Sequence, residues 1–175
     1  LKSRTPEVTT INIFLTDTDP ILAAQSLPDK HIVKMPVEAV QMAVSVLIRH
    51  GIDYTVLTKA GTNHKGGYHS HPCTVWAGDS RANLVWLLEW GNALCAEYTK
   101  RYGKIHFAQG QLTAIWPHVL EVPAGLPTTP AQAMPDECKV PGNAVEAYRN
   151  CIRAKVASKP DSFVWKKGTP SPDWL

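Results

Sequence analysis

The stretch Asp29-Lys30-His31-Ile32-Val33-Lys34-Met35-Pro36-Val37-Glu38-Ala39-Val40-Gln41, continued by Met42-Ala43-Val44-Ser45-Val46-Leu47, decides how the chain is read. Val37, Val40, Val44 and Leu47 recur at helical spacing and are expected to face a core. Gly51 supplies a residue able to leave the helix in left-handed backbone. Pro36 either opens this long helix or kinks it after a first turn containing His31. At about 100° per residue, His31, Lys34, Glu38 and Gln41 share an arc of about 80°. An imidazole, an amine, a carboxylate and an amide thus lie beside the apolar stripe. At the edge of a cleft, desolvation raises a carboxylate's pKa and lowers an amine's. Both shifts suit proton transfer or Schiff-base work near neutral pH. An ordinary amphipathic helix with a Lys34–Glu38 pair at i,i+4 has the same spacing, so position alone leaves both readings open.

Outward from this helix, the punctuation is helical. Asp19-Pro20 is a cap followed by Pro at the first position, opening a short helix over Ile21–Ser26. Ile11–Leu15 is a short apolar run, read as a strand or an extended entry into the core. Residues 52–78 contain Gly61, Gly66, Gly67 and Pro72 and read as a loop with little regular structure. Asp79 or Ser80 then caps a long helix through Tyr102, ended by Gly103, with Leu84, Leu87, Leu88, Gly91, Leu94, Cys95 and Tyr98 as its buried stripe. A shorter helix is expected over Gln109–Leu120, with a kink at Pro117. Five prolines in 121–142 exclude a helix or central strand there and predict an ordered wrap or linker. Asn143 and Glu146 form a capping-box pair opening a last helix, with Val145, Tyr148, Ile152 and Val156 on one face. The fold class is therefore all-α, with long Pro-rich connections. Residues 1–10 read as a disordered or extended segment, and 11–175 as a single helical domain.

A chain of 175 residues, 44% hydrophobic and 19% charged, has a globular composition and excludes wholesale disorder. No uninterrupted apolar run approaches the roughly 18 residues of a membrane span, and no apolar leader is visible, so no membrane association and a cytoplasmic location are expected. Cys73, Cys95, Cys138 and Cys151 form no CxxC pair and are expected as free thiols, with Cys95 and Cys151 buried. The net charge of +3 says little, but its distribution says more. Residues 98–106 carry Lys100, Arg101 and Lys104 with two tyrosines and no acid, and Arg149–Lys167 holds six Lys/Arg against Asp161. Basic residues interleaved with aromatics suit a phosphate backbone, although a solvated helix end has the same composition.

Three further clusters are candidates for chemistry. His64, His69, His71 and Cys73 lie within ten residues, but their spacing matches no standard zinc finger. No metal and no cofactor are expected, and His71-Pro72-Cys73 is instead expected to place an imidazole over the Glu38 cleft. Met134-Pro135-Asp136-Glu137 reads as a turn with capping acids. In Tyr148-Arg149, the tyrosine reads as core and Arg149 as a phosphate ligand. The sequence contains no GxxxxGK[ST], GxGxxG or GxSxG, which removes the usual signs of nucleotide hydrolysis, dinucleotide redox chemistry and serine hydrolysis.

Leu27-Pro-Asp-Lys-His31, with Glu38 seven residues after the His, resembles the first catalytic helix of pyrimidine-dimer DNA glycosylase/AP lyases of the phage endonuclease V type. Thr9-Thr10-Ile11-Asn12-Ile13 is similar to the extreme N-terminus of that family. A looser likeness, over most of 11–175, is to phage and bacterial proteins grouped with those glycosylases. The resemblance implies a compact all-α fold, DNA as partner, and a phage-encoded DNA-repair enzyme that would act in the host cytoplasm. It implies attack by an amine on C1′ of a damaged nucleotide, departure of the base, and β-elimination from the Schiff base. Glu38 would be the catalytic carboxylate, while His31 would hold DNA or orient its neighbours. The family's nucleophile is the α-amine of an N-terminal Thr. Eight residues precede Thr9 here, so Lys34 or Lys30 is expected in that role. Val37 and Gln41 stand where the family carries Arg. The DNA-contacting set is expected to be Lys30, Gln41, His71, Lys100, Arg101, Lys104 and Arg149. Two other readings stay open: a different base- or nucleotide-modifying enzyme on this scaffold, and a non-catalytic nucleic-acid-binding or virion-associated module.

Overall fold

The computed structural model describes residues 11–175, so the segment expected over 1–10 lies outside the described residues. Six α-helices and two short 3-10 turns follow, with no strand among the described residues. The all-α reading therefore holds. Residues 11–16 enter as extended, buried chain. Helix α1 (Pro20–Gln25) is capped as expected, Asp19 accepting from the Ile21 N–H. Helix α2 (Asp29–Arg49) runs through Pro36, so Pro36 does not open it. Proline costs this helix the bond to the Ile32 carbonyl. Burial along the helix outweighs that loss.

The packing of α2 corrects a second expectation. Val40, Val44 and Leu47 are buried, but Val37 is 45% exposed. The sector holding Lys30, Val33, Lys34 and Val37 is open over the first turns of α2. Beyond Gln41 the same sector is closed by the loop before α3, because Ser45 Oγ accepts from the Gly67 N–H at 2.9 Å. Gly66 permits that approach: its φ is +70°, and a Cβ there would lie 2.4 Å from Ser45 Oγ. By length and composition α2 would qualify to cross a membrane, but 72% of its most apolar window is buried within the protein, as befits the central helix of a core.

Within 52–78, where only loop was expected, α3 (Pro72–Asp79) forms. Pro72 stands at its first position and His71 Nδ1 accepts from the Cys73 N–H, a histidine cap that the usual Ser/Asp signals do not reveal. Ser80 caps α4 (Arg81–Tyr102), and Gly103 leaves it at φ +68°. Helix α4 packs on both α1 and α2. Gly91 allows the approach to α2 and α5, since a Cβ there would lie 3.4 Å from Ala39 and 3.0 Å from Leu112. The expected stripe of α4 is buried except for Tyr98, which is half-buried. Helix α5 (Phe107–Ile115) starts earlier than expected because His106 caps it, and Pro117 converts the rest to a 3-10 turn over Trp116–Glu121. The Pro-rich segment is an ordered wrap, tied down by Asn83 at Thr128 and by Tyr148 at Ala131. Helix α6 (Ala144–Ser158) is capped by Asn143 at Glu146, and buries Tyr148 and Ile152. All four cysteines are free and buried.

The last segment docks back on the start of α2. Asp29 N–H donates to the Val164 carbonyl, Lys166 N–H to Asp29 Oδ2, and Trp165 Nε1 to the Ser26 carbonyl. Beneath this contact Arg101, with no exposed side-chain surface, bonds Glu97 at 2.8 Å, Asp29 at 3.3 Å, and the carbonyls of Leu27 and Gln25. Glu97 also accepts from the buried Thr169 hydroxyl. The C-terminal segment is thus fixed by a closed ion-pair network.

Candidate active site

The site begins with the extended entry. Asn12 is buried, and its Oδ1 accepts from the N–H groups of Ile13 and Phe14 at 2.7 and 2.9 Å. Its Nδ2 donates to the Ala133 carbonyl in the Pro-rich wrap. This local turn holds Phe14 at φ +34°, a region that side chains other than glycine rarely occupy. The Phe14 ring then stands edge-on to the His31 ring at 4.8 Å. On another side, Phe163 lies 5.5 Å from His31.

Burial holds the His31 imidazole neutral, and the lysines 155, 34 and 30 add to the effect, taking its pKa down to about 3. Its Nδ1 is buried without a hydrogen-bond partner. Glu38 lies seven residues further along α2 and is 5% exposed. Burial pushes its carboxyl up to about 7, against the opposing pull of Lys34 and Lys155. Lys34 Nζ is 3.8 Å from Oε1, whereas Oε2 is buried and without a partner. A carboxyl of this kind exists in both protonation states near neutral pH, which is what alternating acid and base work needs.

At the start of α3, Cys73 Sγ lies 3.7 Å from the buried Tyr148 hydroxyl, which anchors the wrap at Ala131. Burial pushes the Cys73 thiol up to about 11, with the Glu38 charge a lesser contributor, so this thiol is not a nucleophile.

The structure brings together His31, Lys34, Glu38 and Lys30, all on α2. Gln41 is half-buried under Gly67 at the edge of the same face. His71 spends its Nδ1 on the α3 cap, and it is Cys73, not the imidazole, that is electrostatically coupled to Glu38. His64 likewise accepts from the Gly66 N–H, and no three potential metal ligands come together among the described residues. Lys100 is exposed on α4, beside the groove between α1 and the C-terminal segment, and Lys104 is exposed beyond its end. Arg101 must be corrected: it is the enclosed centre of the ion-pair network and offers no surface to DNA. Arg149 is occupied in the fold, donating to the Thr16 carbonyl, pairing with Asp17 at 3.6 Å and lying over the Trp174 ring.

Three site residues escaped the sequence reading: Phe14, Lys155 and Phe163. The basic run 149–167 flagged the neighbourhood of Lys155, but nothing local tells that α6 returns to His31. Lys155 Nζ lies 5.9 Å from the Phe14 ring centroid and 5.6 Å from that of Phe163.

Compared with known proteins, residues 9–109 match the family model described as Pyrimidine dimer DNA glycosylase. No curated protein and no solved structure matches the chain. The matched span contains Asn12, Phe14, His31, Lys34, Glu38 and Cys73, and stops before α6.

Proposed function

The chain belongs to the pyrimidine dimer DNA glycosylase family, and from the geometry around Glu38 we propose that it is a base-excision enzyme acting on damaged or modified bases in DNA. The observation that carries this reading is the buried carboxyl of Glu38, poised near neutral pH, with an unpartnered oxygen and the Lys34 amine beside it. In the proposed reaction the Lys34 amine forms a bond to C1′ of the target nucleotide. The C1′–N bond to the base breaks, its electron pair leaves with the base, and protonated Glu38 supplies the proton that neutralises it. The nitrogen then passes one proton to the ring oxygen O4′ as the C1′–O4′ bond breaks, which leaves the open sugar as a protonated Schiff base. Glu38, now a carboxylate, takes a proton from C2′, and the 3′-phosphate leaves. Water hydrolyses the Schiff base and returns Lys34. His31, neutral and packed against the Phe14 and Phe163 rings, orients its neighbours at the start of α2 and takes no part in the proton transfer.

Borohydride trapping on abasic and UV-irradiated duplexes tests the proposal. The wild-type chain is expected to form a covalent adduct and nick the strand, with Glu38→Gln lowering the rate at least about 100-fold, the lower range for losing a general acid–base group. Lys34→Ala is expected to abolish the adduct. No adduct and no strand scission from wild type, beside an active control enzyme, would refute it.

A further inference from the structure

We infer that Lys155 and Lys30 form a two-amine clamp that binds a backbone phosphate of DNA beside the nucleotide being processed. This rests on the base-excision reading above and adds to it a residue outside the span that matches the family. The clamp is built from the two ends of the described chain. Helix α2 presents Lys30 on its open face. Helix α6 and the docked C-terminal segment bring Lys155 and Phe163 to the same place. The Phe163 ring joins them, with Lys30 Nζ 4.8 Å and Lys155 Nζ 5.6 Å from its centroid.

The charge is not balanced within the protein. Among the described residues neither Lys30 nor Lys155 forms an ion pair, whereas Lys34 pairs with Glu38. The other cations of α6 are committed elsewhere. Arg149 is held by Thr16 and Asp17, and Arg153 by the Trp174 carbonyl and Glu146. Lys155 instead borders a cleft of about 440 Å³ with Phe163, Cys138 and Cys151, bordered also by the exposed Glu137. Two amines on one aromatic ring, neither with a carboxylate partner among the described residues, fit an anion that arrives from outside. For a DNA enzyme that anion is a phosphate diester.

The test measures binding of the full chain to a duplex carrying a tetrahydrofuran abasic analogue, across about 50 to 200 mM salt, where phosphate contacts weigh heavily. Lys155→Ala is expected to weaken binding and to lower the slope of log K against log salt by about 1, with Lys155→Arg restoring both. Melting curves check that each variant is folded. If wild type binds and Lys155→Ala keeps the full slope, the clamp is wrong and the base-excision reading stands. If both Lys155 variants bind normally yet lose the borohydride adduct, Lys155 is the attacking amine and the phosphate role is overturned. If wild type neither binds nor forms an adduct, the base-excision reading falls and takes the clamp with it.

Discussion

Replacing Glu38 by Gln should make the protein more stable at alkaline pH while removing its activity. The folded-state pKa of Glu38, about 7, lies above the unfolded value of 4.5. Between those values the folded state binds more protons than the unfolded one, so stability falls as pH rises. Each pKa unit is worth about 1.36 kcal/mol, and over pH 5 to 8 the loss amounts to about 2–3 kcal/mol. His31 works in the opposite direction. Its folded pKa of about 3 lies below the unfolded 6.5, so its contribution is fully present above 6.5 and fades as pH falls. In the wild type the two slopes oppose each other between 4.5 and 6.5 and flatten the profile. Glu38→Gln exposes the His31 slope alone. Thermal melts at pH 5 and pH 8 provide the assay. The variant's advantage over wild type should grow by roughly 5–10 °C from the lower to the higher pH, at about 2–4 °C per kcal/mol for a domain of this size. A difference in Tm between variant and wild type that is the same at both pH values would refute the argument, because it would mean that Glu38 is solvated like an ordinary surface carboxylate.

Two further substitutions probe the scaffold. Asn12→Ala removes three hydrogen bonds at buried or part-buried positions and the turn that holds Phe14, so it should cost about 3 kcal/mol in denaturant unfolding, and the His31 resonances should shift. Arg101→Met leaves Asp29 and Glu97 as buried carboxylates without their cation and should cost about 3–5 kcal/mol. Where that variant remains folded, the salt slope of DNA binding should match wild type, because Arg101 does not reach the surface.

The helices were readable in the sequence where local chemistry decides them. Asp19-Pro20, Ser80, Gly103 and the Asn143–Glu146 pair each marked an end within a residue or two. Helix α3 was missed because its cap is a histidine, and α5 was misplaced for the same reason at His106. The His31–Glu38 spacing pointed to half of the candidate site. The other half is non-local: Phe14 is posed by a turn bound to Ala133, and Phe163, which meets Lys155 of α6, by a segment docked on Asp29. Arg101 shows the limit of reading charge from composition. Its place in a basic run suggested a surface residue, whereas its neighbours in space are two carboxylates and two carbonyls.

One environment acts on His31 and Glu38 with opposite results, and in the proposed reaction this would couple substrate binding to proton delivery. Burial disfavours the charged form of both groups. The lysines then depress both pKa values, adding to burial at His31 and opposing it at Glu38. Facing Glu38 are Lys34 from its own helix, Lys155 from α6, and the Cys73 thiol, which is neutral below about 11. A phosphate seated on the lysines cancels part of their positive field. His31 stays neutral, since a modest rise from about 3 does not reach neutral pH. Glu38 rises from about 7 and becomes more completely protonated once DNA is bound. In the proposed reaction, the arriving strand would thereby load the acid that releases its base. The descending limb of base release against pH should therefore lie higher at saturating enzyme, where it reports the complex, than under subsaturating conditions, where it reports the free protein. In Lys155→Ala the free-protein limb should itself move up, because one depressing charge is gone. A saturating limb at or below the free-protein one would show that the DNA phosphate does not screen the lysines at Glu38.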